Sequence, residues 1–506
     1  MQNVIINNMS EIKKYWKSLS QLNDDPVVKK LSENEFVEEL PVDEFLGNEK
    51  NLSNTQTSRR DFLKFLGFST AAATLAACEN PIKKSIPYVV KPEEIIPGVA
   101  NYYATTIYDG YDYASVLVKT REGRPIKIEN NKTCTNARVQ ASVLSLYDNN
   151  RLKHPLKNGE ESDWGTIDLE IKQKLNSLEK GKKIAIVTST ILSPSTKVLI
   201  KDFGKKYNNV EHIMFDAVSY NGILDANQDS FGVRAIPSYR FDQANVIVSF
   251  GADFLGNWGA NEYSNDYING RNPKSGRMSK HYQIETNLSL TGSNADKRIQ
   301  IKPSEQGYLL SNLYNALNGG SVDKRLKEIV NKLKNNYSKS IVVCDSNDKN
   351  IQLIVNAINH KLNNYNHTLD ITSPSYLKQG DTRKMQDLIE AMEAGKVGAL
   401  ITYNVNPSYT LPNAEQFNKA LSKVDIKVST SSYHDETANL MHYVAPDHHN
   451  LESWGDAMPQ HDTYTLMQPT ISPLFNTRQF QDSLLSWMNG KISYHSYIRD
   501  FWKSKG

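Results

Sequence analysis

Cysteine is scarce in this chain: 506 residues contain three, Cys78, Cys134 and Cys344. They are too few and too scattered for a disulfide framework, a CxxC zinc site or an iron-sulfur ligand run. A cubane cluster therefore cannot be held by this chain alone. Charge of one sign is lacking as well. The formal net charge is +3, and the absence of a long Lys/Arg block excludes a nucleic-acid partner. Long apolar runs are missing too: Phe65 to Ala77 contains Gly67, Ser69 and Thr70 and falls well short of the roughly 20 residues that span a bilayer.

What is present is the composition of a soluble globular protein, with 39% hydrophobic and 23% charged residues. At this length more than one domain is expected, since single cores rarely grow past about 250 to 300 residues.

Ser58, Arg59, Arg60, Phe62, Leu63 and Lys64 form a twin-arginine export pattern ahead of a weak apolar run. Leu75-Ala76-Ala77-Cys78 closes that run as a lipoprotein-processing site would, with Cys78 the acylated residue. The competing reading is a buried Ala-rich helix that ends in an ordinary core cysteine. Export in the folded state raises the expectation of a redox protein.

Along the chain, residues 1–57 read as a polar extension and 58–78 as the signal. Residues 79–160 read as a small β-rich domain, with two strands around Glu122-Gly123. From about residue 163, short Ile/Val-rich runs such as "KKIAIVTST", "ANVIVSFGAD", "SIVVCDSN" and "VGALITYNVN" alternate with helical stretches. Such βα alternation predicts an α/β fold with two Rossmann-like doubly wound parallel sheets. The expected division is a discontinuous α/β domain at 161–235 and 340–470, an inserted α/β domain at 236–339 and a C-terminal tail at 471–506. Ligands of such sheets bind beyond the carboxyl ends of strands. None of the post-strand loops is GxGxxG or a Walker loop, so a generic dinucleotide or NTP enzyme gains no support.

His434, Asp435, Glu436, His442, Asp447, His448, His449, Glu452, Asp456 and His461 make the densest set of potential metal ligands. Their spacing lacks HExxH or HxH, and ordinary hydrogen bonding is the preferred reading; no metal site is assigned. Cys134 reads as a loop residue.

"VIVSFGADFLGNW", "NADKRIQIKPSEQGYLLSNLYNAL" and the stretch from "ITYNVNPSYTLPNAEQF" to "HHNLESWGD" occur in the order seen in the molybdopterin oxidoreductase superfamily, which the chain resembles over roughly residues 100–465. "NEFVEELPVDEFLG", "SRRDFLKFLGFSTAAATLAACE" and "NARVQASVLSLYD" resemble more closely the molybdopterin-like half of the Bacteroidetes-like ActB family of alternative complex III, a quinol:cytochrome c oxidoreductase.

The resemblance implies a non-catalytic, cofactor-less subunit that supports electron transfer from quinol to a periplasmic acceptor. It would be exported by the twin-arginine pathway to the periplasmic side of the inner membrane and possess a lipid anchor. Implied partners are membrane quinol-binding and haem c subunits and a ferredoxin-like half bearing iron-sulfur clusters. That half is absent before Gly506, so it is expected on a separate chain or lost. Asp253, Asn294, Asp296, Asn404 and Asn406 fall in loops where the superfamily handles its pterin nucleotides, and here read as vestigial cofactor-loop residues with turn and capping roles. Two alternatives remain open: a genuine Mo-bis(molybdopterin guanine dinucleotide) oxidoreductase and a lipid-anchored assembly factor.

Overall fold

A computed structural model describes residues 98–131 and 134–505. Ser58 to Lys64 and Cys78 lie outside the described residues. The first strands are β1 (Asn101–Tyr108), β2 (Tyr113–Arg121) and β3 (Arg124–Asn130), an antiparallel sheet in the order β1-β2-β3. Its second turn uses Glu122 at φ 49° and Gly123 at φ 77°. Positive φ at both positions matches the right-handed twist of a tight hairpin.

The chain then forms β4 (Leu156–Lys157), β5 (Glu160–Glu161), β6 (Lys183–Thr188), β7 (Val210–Met214), β8 (Ile236–Tyr239) and β9 (Val246–Phe250). It continues through β10 (Lys280–Glu285), β11 (Lys297–Gln300), β12 (Ser340–Cys344), β13 (Leu369–Ser375), β14 (Val397–Tyr403), β15 (Ile426–Ser429) and β16 (Tyr443–Val444). It ends with β17 (Gly455–Gln460) and β18 (Thr463–Met467).

Two sheets are doubly wound. The larger runs β5-β4-β16-β15-β14-β6-β7, parallel from β16 to β7. The smaller runs β11-β10-β9-β12 and is parallel throughout. The central strands β6, β9, β12 and β14 are covered on both faces and buried along nearly their whole length. Side chains still alternate: Ile184 and Ile186 face one core with Leu199 and Phe203, while Ala185 and Val187 face another with Leu388 and Phe417. In the smaller sheet Val246, Val248 and Phe250 pack on one side, and Ile247 packs on the other.

Three features depart from the expected division. Ser340–Cys344, assigned by sequence to the discontinuous domain, pairs with β9 in the smaller sheet. The helix Lys349–Lys361 follows it into the same core through Val355 and Ile358. An apolar strand carries no label for its partner, so this boundary is set by pairing alone. Residues 471–506 are no tail: the helices Phe480–Trp487 and Tyr494–Lys503 bury Phe480, Trp487 and Tyr494 completely against the larger sheet. Finally, β8, β13, β17 and β18 form a fourth, antiparallel sheet in the order β18-β17-β13-β8. Residue 236 onward thus contributes a strand outside the inserted unit.

Candidate functional site

A doubly wound sheet opens a crevice where the chain leaves in opposite directions from neighbouring strands. In the larger sheet this point lies between β6 and β14, and in the smaller between β9 and β12. The loop from β1 to β2 enters the first crevice. Asn404, in the left-handed conformation at φ 55°, donates to the Asp109 carbonyl at 2.6 Å and to Ser189 Oγ at 3.2 Å. Gly110 is at φ +90°, and a Cβ there would lie 2.5 Å from Asn404 Nδ2 and 2.6 Å from Ser189 Oγ. Only glycine lets the loop come this close. Tyr108 donates to the Thr190 carbonyl at 2.6 Å.

The same loop reaches toward the second crevice, where the Tyr111 hydroxyl donates to the Asn257 carbonyl at 3.3 Å. Lys378 Nζ stands 4.1 Å from the Tyr111 ring centroid and donates to the Tyr111 carbonyl at 3.1 Å. Burial lowers the Lys378 pKa, while Asp216, Asp109 and Asp112 oppose that shift. Burial raises the Asp109 carboxyl, against hydrogen bonds from the Asp112 and Tyr111 amides. Asp216 accepts from Thr190 N at 2.9 Å and Gly380 N at 2.9 Å, which joins the β6 and β7 ends to the segment before the helix Thr382–Glu393. The second crevice is closed by Asp345: its carboxylate touches Gly251, and Gln306 Nε2 bridges Asp345 Oδ1 and the Phe250 carbonyl at 2.8 and 3.2 Å.

Three cavities surround this loop. One of about 380 Å³ lies beyond β14 and β15, lined by Asn404, Ser431, Asp447, His449 and Thr402. Thr402 Oγ1 is buried and has no hydrogen-bond partner among the described residues. Tyr111 and Trp258 wall two smaller ones of about 80 and 260 Å³ on the side of the smaller sheet.

The five cofactor-loop residues do not converge. Asn404 and Asn406 sit together at the larger sheet, where Asn406 Nδ2 donates to Glu436 Oε2 at 2.6 Å and its Oδ1 accepts from Thr437 Oγ1 at 2.7 Å. Asp253 lies beyond β9 and accepts from Thr291 N at 2.9 Å. Asn294 caps a short helix by donating to the Leu290 carbonyl at 2.8 Å. Asp296 is at the opposite end of its sheet, paired with Arg271 at 2.8 Å and accepting from His281 N near the start of β10.

Much of the His/Asp/Glu constellation is occupied internally. His448 Nδ1 lies 2.6 Å from Thr477 Oγ1, and His449 Nε2 lies 2.9 Å from Ser145 Oγ. Burial holds both imidazoles down to about 4, so they are neutral at physiological pH. Asp456 accepts from Ser195 Oγ at 2.8 Å and Trp502 Nε1 at 2.9 Å. Among the described residues no three His, Cys, Asp or Glu side chains meet as a metal site. Cys134 is a loop residue whose Sγ lies 2.8 Å from Asn265 Oδ1.

Sequence reasoning missed Asp109, Gly110, Tyr111, Asp216 and Lys378. The run Asp109-Gly110-Tyr111-Asp112 carries a turn signature, but nothing local says which crevice the turn enters.

The crevices, as built, do not fit a pterin dinucleotide running across both sheets. Asp109 and Gly110 occupy the first carboxyl edge, and Asp345 with Gln306 occupies the second.

No family model matches the chain. It is 22% identical over 516 aligned positions to the menaquinone reductase molybdopterin-binding-like subunit of Nitratidesulfovibrio vulgaris, covering 88% of this chain and 73% of that protein. Acetylene hydratase from Pelobacter acetylenicus superposes with a TM-score of 0.60 at 14% identity, covering 76% of this chain and 69% of the other. The fold is that of the molybdopterin oxidoreductases.

Proposed function

We propose that this chain is a molybdopterin-oxidoreductase-like scaffold subunit of a membrane quinol oxidoreductase, of the alternative complex III type, and binds no redox cofactor itself. The likeness to a menaquinone reductase subunit supports a place in a quinone-linked complex. The observation that carries the cofactor-free reading is the β1–β2 loop, whose Gly110 packs against Asn404 and Ser189 where a ligand of this fold would enter. Its partners on this reading are quinol-binding and haem c subunits and a ferredoxin-like iron-sulfur portion. Ser58 to Lys64 would direct export to the periplasmic face, with Cys78 as the lipid anchor.

Purification of the complex from native membranes tests this. Expected are co-elution with haem c and quinol-binding chains, molybdenum far below one atom per chain, and an acylated Cys78 at the mature N-terminus. A soluble monomer in native extracts overturns the reading.

One observation favours a second reading, a pterin-binding oxidoreductase: the cavity of about 380 Å³ beyond β14 and β15 is lined by polar groups, Asn404, Ser431 and Asp447 among them. Oxidative release of a fluorescent pterin from the purified protein, with stoichiometric molybdenum, would establish it in place of the first.

A further inference from the structure

A groove of about 690 Å³ lies between β18 and the helix Tyr494–Lys503. One wall is β18, the edge strand of its sheet, where Tyr464 and Leu466 are 50% and 65% exposed. The other wall is the helix, which lines the groove with Ile498 and Trp502 one turn apart. Trp454 lies against His495 at 4.3 Å between ring centroids, and Trp502 meets Tyr464 edge-on at 5.1 Å. Single exposed apolar side chains are ordinary, whereas a contiguous apolar set beside polar groups marks an interaction site.

The helix also lines the groove with His495, Arg499 and Lys503. These stand at i, i+4 and i+8, so the two basic groups, Arg499 and Lys503, follow His495 along one helix face at intervals of about 6 Å. Among the described residues, no carboxylate lines the groove. Arg499 has Asp500 at 3.7 Å, but both side chains are more than half exposed, and such a pair contributes little.

We propose that this groove docks a polypeptide segment of a partner protein in which aliphatic or aromatic side chains are interspersed with Asp and Glu. The apolar floor takes the anchors, and the basic row takes carboxylates recurring at a matching interval. A lipid surface fits less well, because the apolar residues lie inside a concavity and the basic row stands on one wall only. This inference goes beyond the scaffold reading and stands without it.

The test uses the full chain and a fluorescein-labelled synthetic dodecapeptide of Glu interspersed with Leu and Phe, beside its Lys-for-Glu counterpart. The acidic peptide is expected to bind saturably and to lose about tenfold in affinity with Arg499→Glu/Lys503→Glu and with Leu466→Asp, while thermal melting is retained. The Lys peptide is expected not to bind. Equal binding of both peptides, or no effect of the substitutions, overturns the proposal. Binding of phosphatidylglycerol vesicles in preference to the peptide would overturn it in favour of a lipid surface. Self-association in sedimentation that the same substitutions abolish would overturn it in favour of a second copy.

Discussion

Arg151 and Glu452 form an ion pair sealed from water, with Nη2 2.7 Å from Oε2 and side chains 1% and 0% exposed. Both charges are further satisfied: Arg151 donates to the Leu146 carbonyl at 2.9 Å, and Glu452 accepts from the His449 and Leu474 amides, each at 2.9 Å. The pair fastens the segment after the helix Ala137–Leu146 to the turn ahead of β17.

Removing one member of this pair strands the other. Glu452→Gln or Arg151→Met is expected to cost about 3–5 kcal/mol, and Arg151→Met/Glu452→Leu less than either single change. Burial pushes the Glu452 carboxyl up, but the Arg151 hydrogen bond and charge outweigh it and the net shift is downward. A depressed folded pKa stabilises above the ordinary carboxylate range, and that stability is lost as pH falls through the folded pKa. Urea titrations of the three variants between pH 3 and 7 measure both effects.

Asp447 has the opposite sign. Desolvation raises its carboxyl to about 7, against hydrogen bonds from the Phe480 and His448 amides. The folded state then holds a proton that the unfolded chain releases near pH 4, so this group's contribution falls as pH rises from about 4 to 7, by roughly 1 kcal/mol per unit. Asp447→Asn keeps the acceptor for both amides and is expected to flatten the stability profile in that window. An unchanged profile would show that Asp447 is ionised throughout.

Gly110→Ala introduces a methyl group onto Asn404 and Ser189 at a left-handed φ. The expected cost is about 1–3 kcal/mol in chemical denaturation, with faster hydrogen exchange at the amides of residues 109–112. A variant as stable as the parent would mean that the loop leaves the crevice freely.

Trp487 is fully buried and donates from Nε1 to Asp168 Oδ1 at 2.9 Å. Asp168 also takes a two-pronged contact from Arg478, at 2.7 Å to each oxygen. Trp487→Ala is expected to lose about 3–5 kcal/mol, read as a depressed melting temperature. Trp487→Phe keeps most of the apolar volume and is expected to lose less, the remainder reflecting the Asp168 hydrogen bond.

Much of this architecture is legible in the residues. "KKIAIVTST" and "VGALITYNVN" become β6 and β14 because short, mostly apolar runs bounded by loop residues suit a strand covered on both faces. Helices such as Thr382–Glu393 follow from their 3.6-residue apolar spacing and the Asp381 cap. Asn404 and Asn406 were readable as loop residues at a carboxyl edge.

Sheet membership was not readable in the same way. Ser340–Cys344 looks like any other buried strand, and only its register with Val246–Phe250 assigns it to the smaller sheet. Asp296 directly precedes β11 and so stands at the amino end of the smaller sheet, but only the fold brings Arg271 to it.

The sequence by itself determined the element types, the α/β class and the shortage of thiolates for a cluster, because these depend on residue identity and local periodicity. Tertiary structure decided that the β1–β2 loop fills the first crevice, that residues 480–503 complete the core, and that Arg151 meets Glu452 across a separation of 301 residues. Those outcomes rest on pairing and close approach between distant segments, which no local pattern encodes.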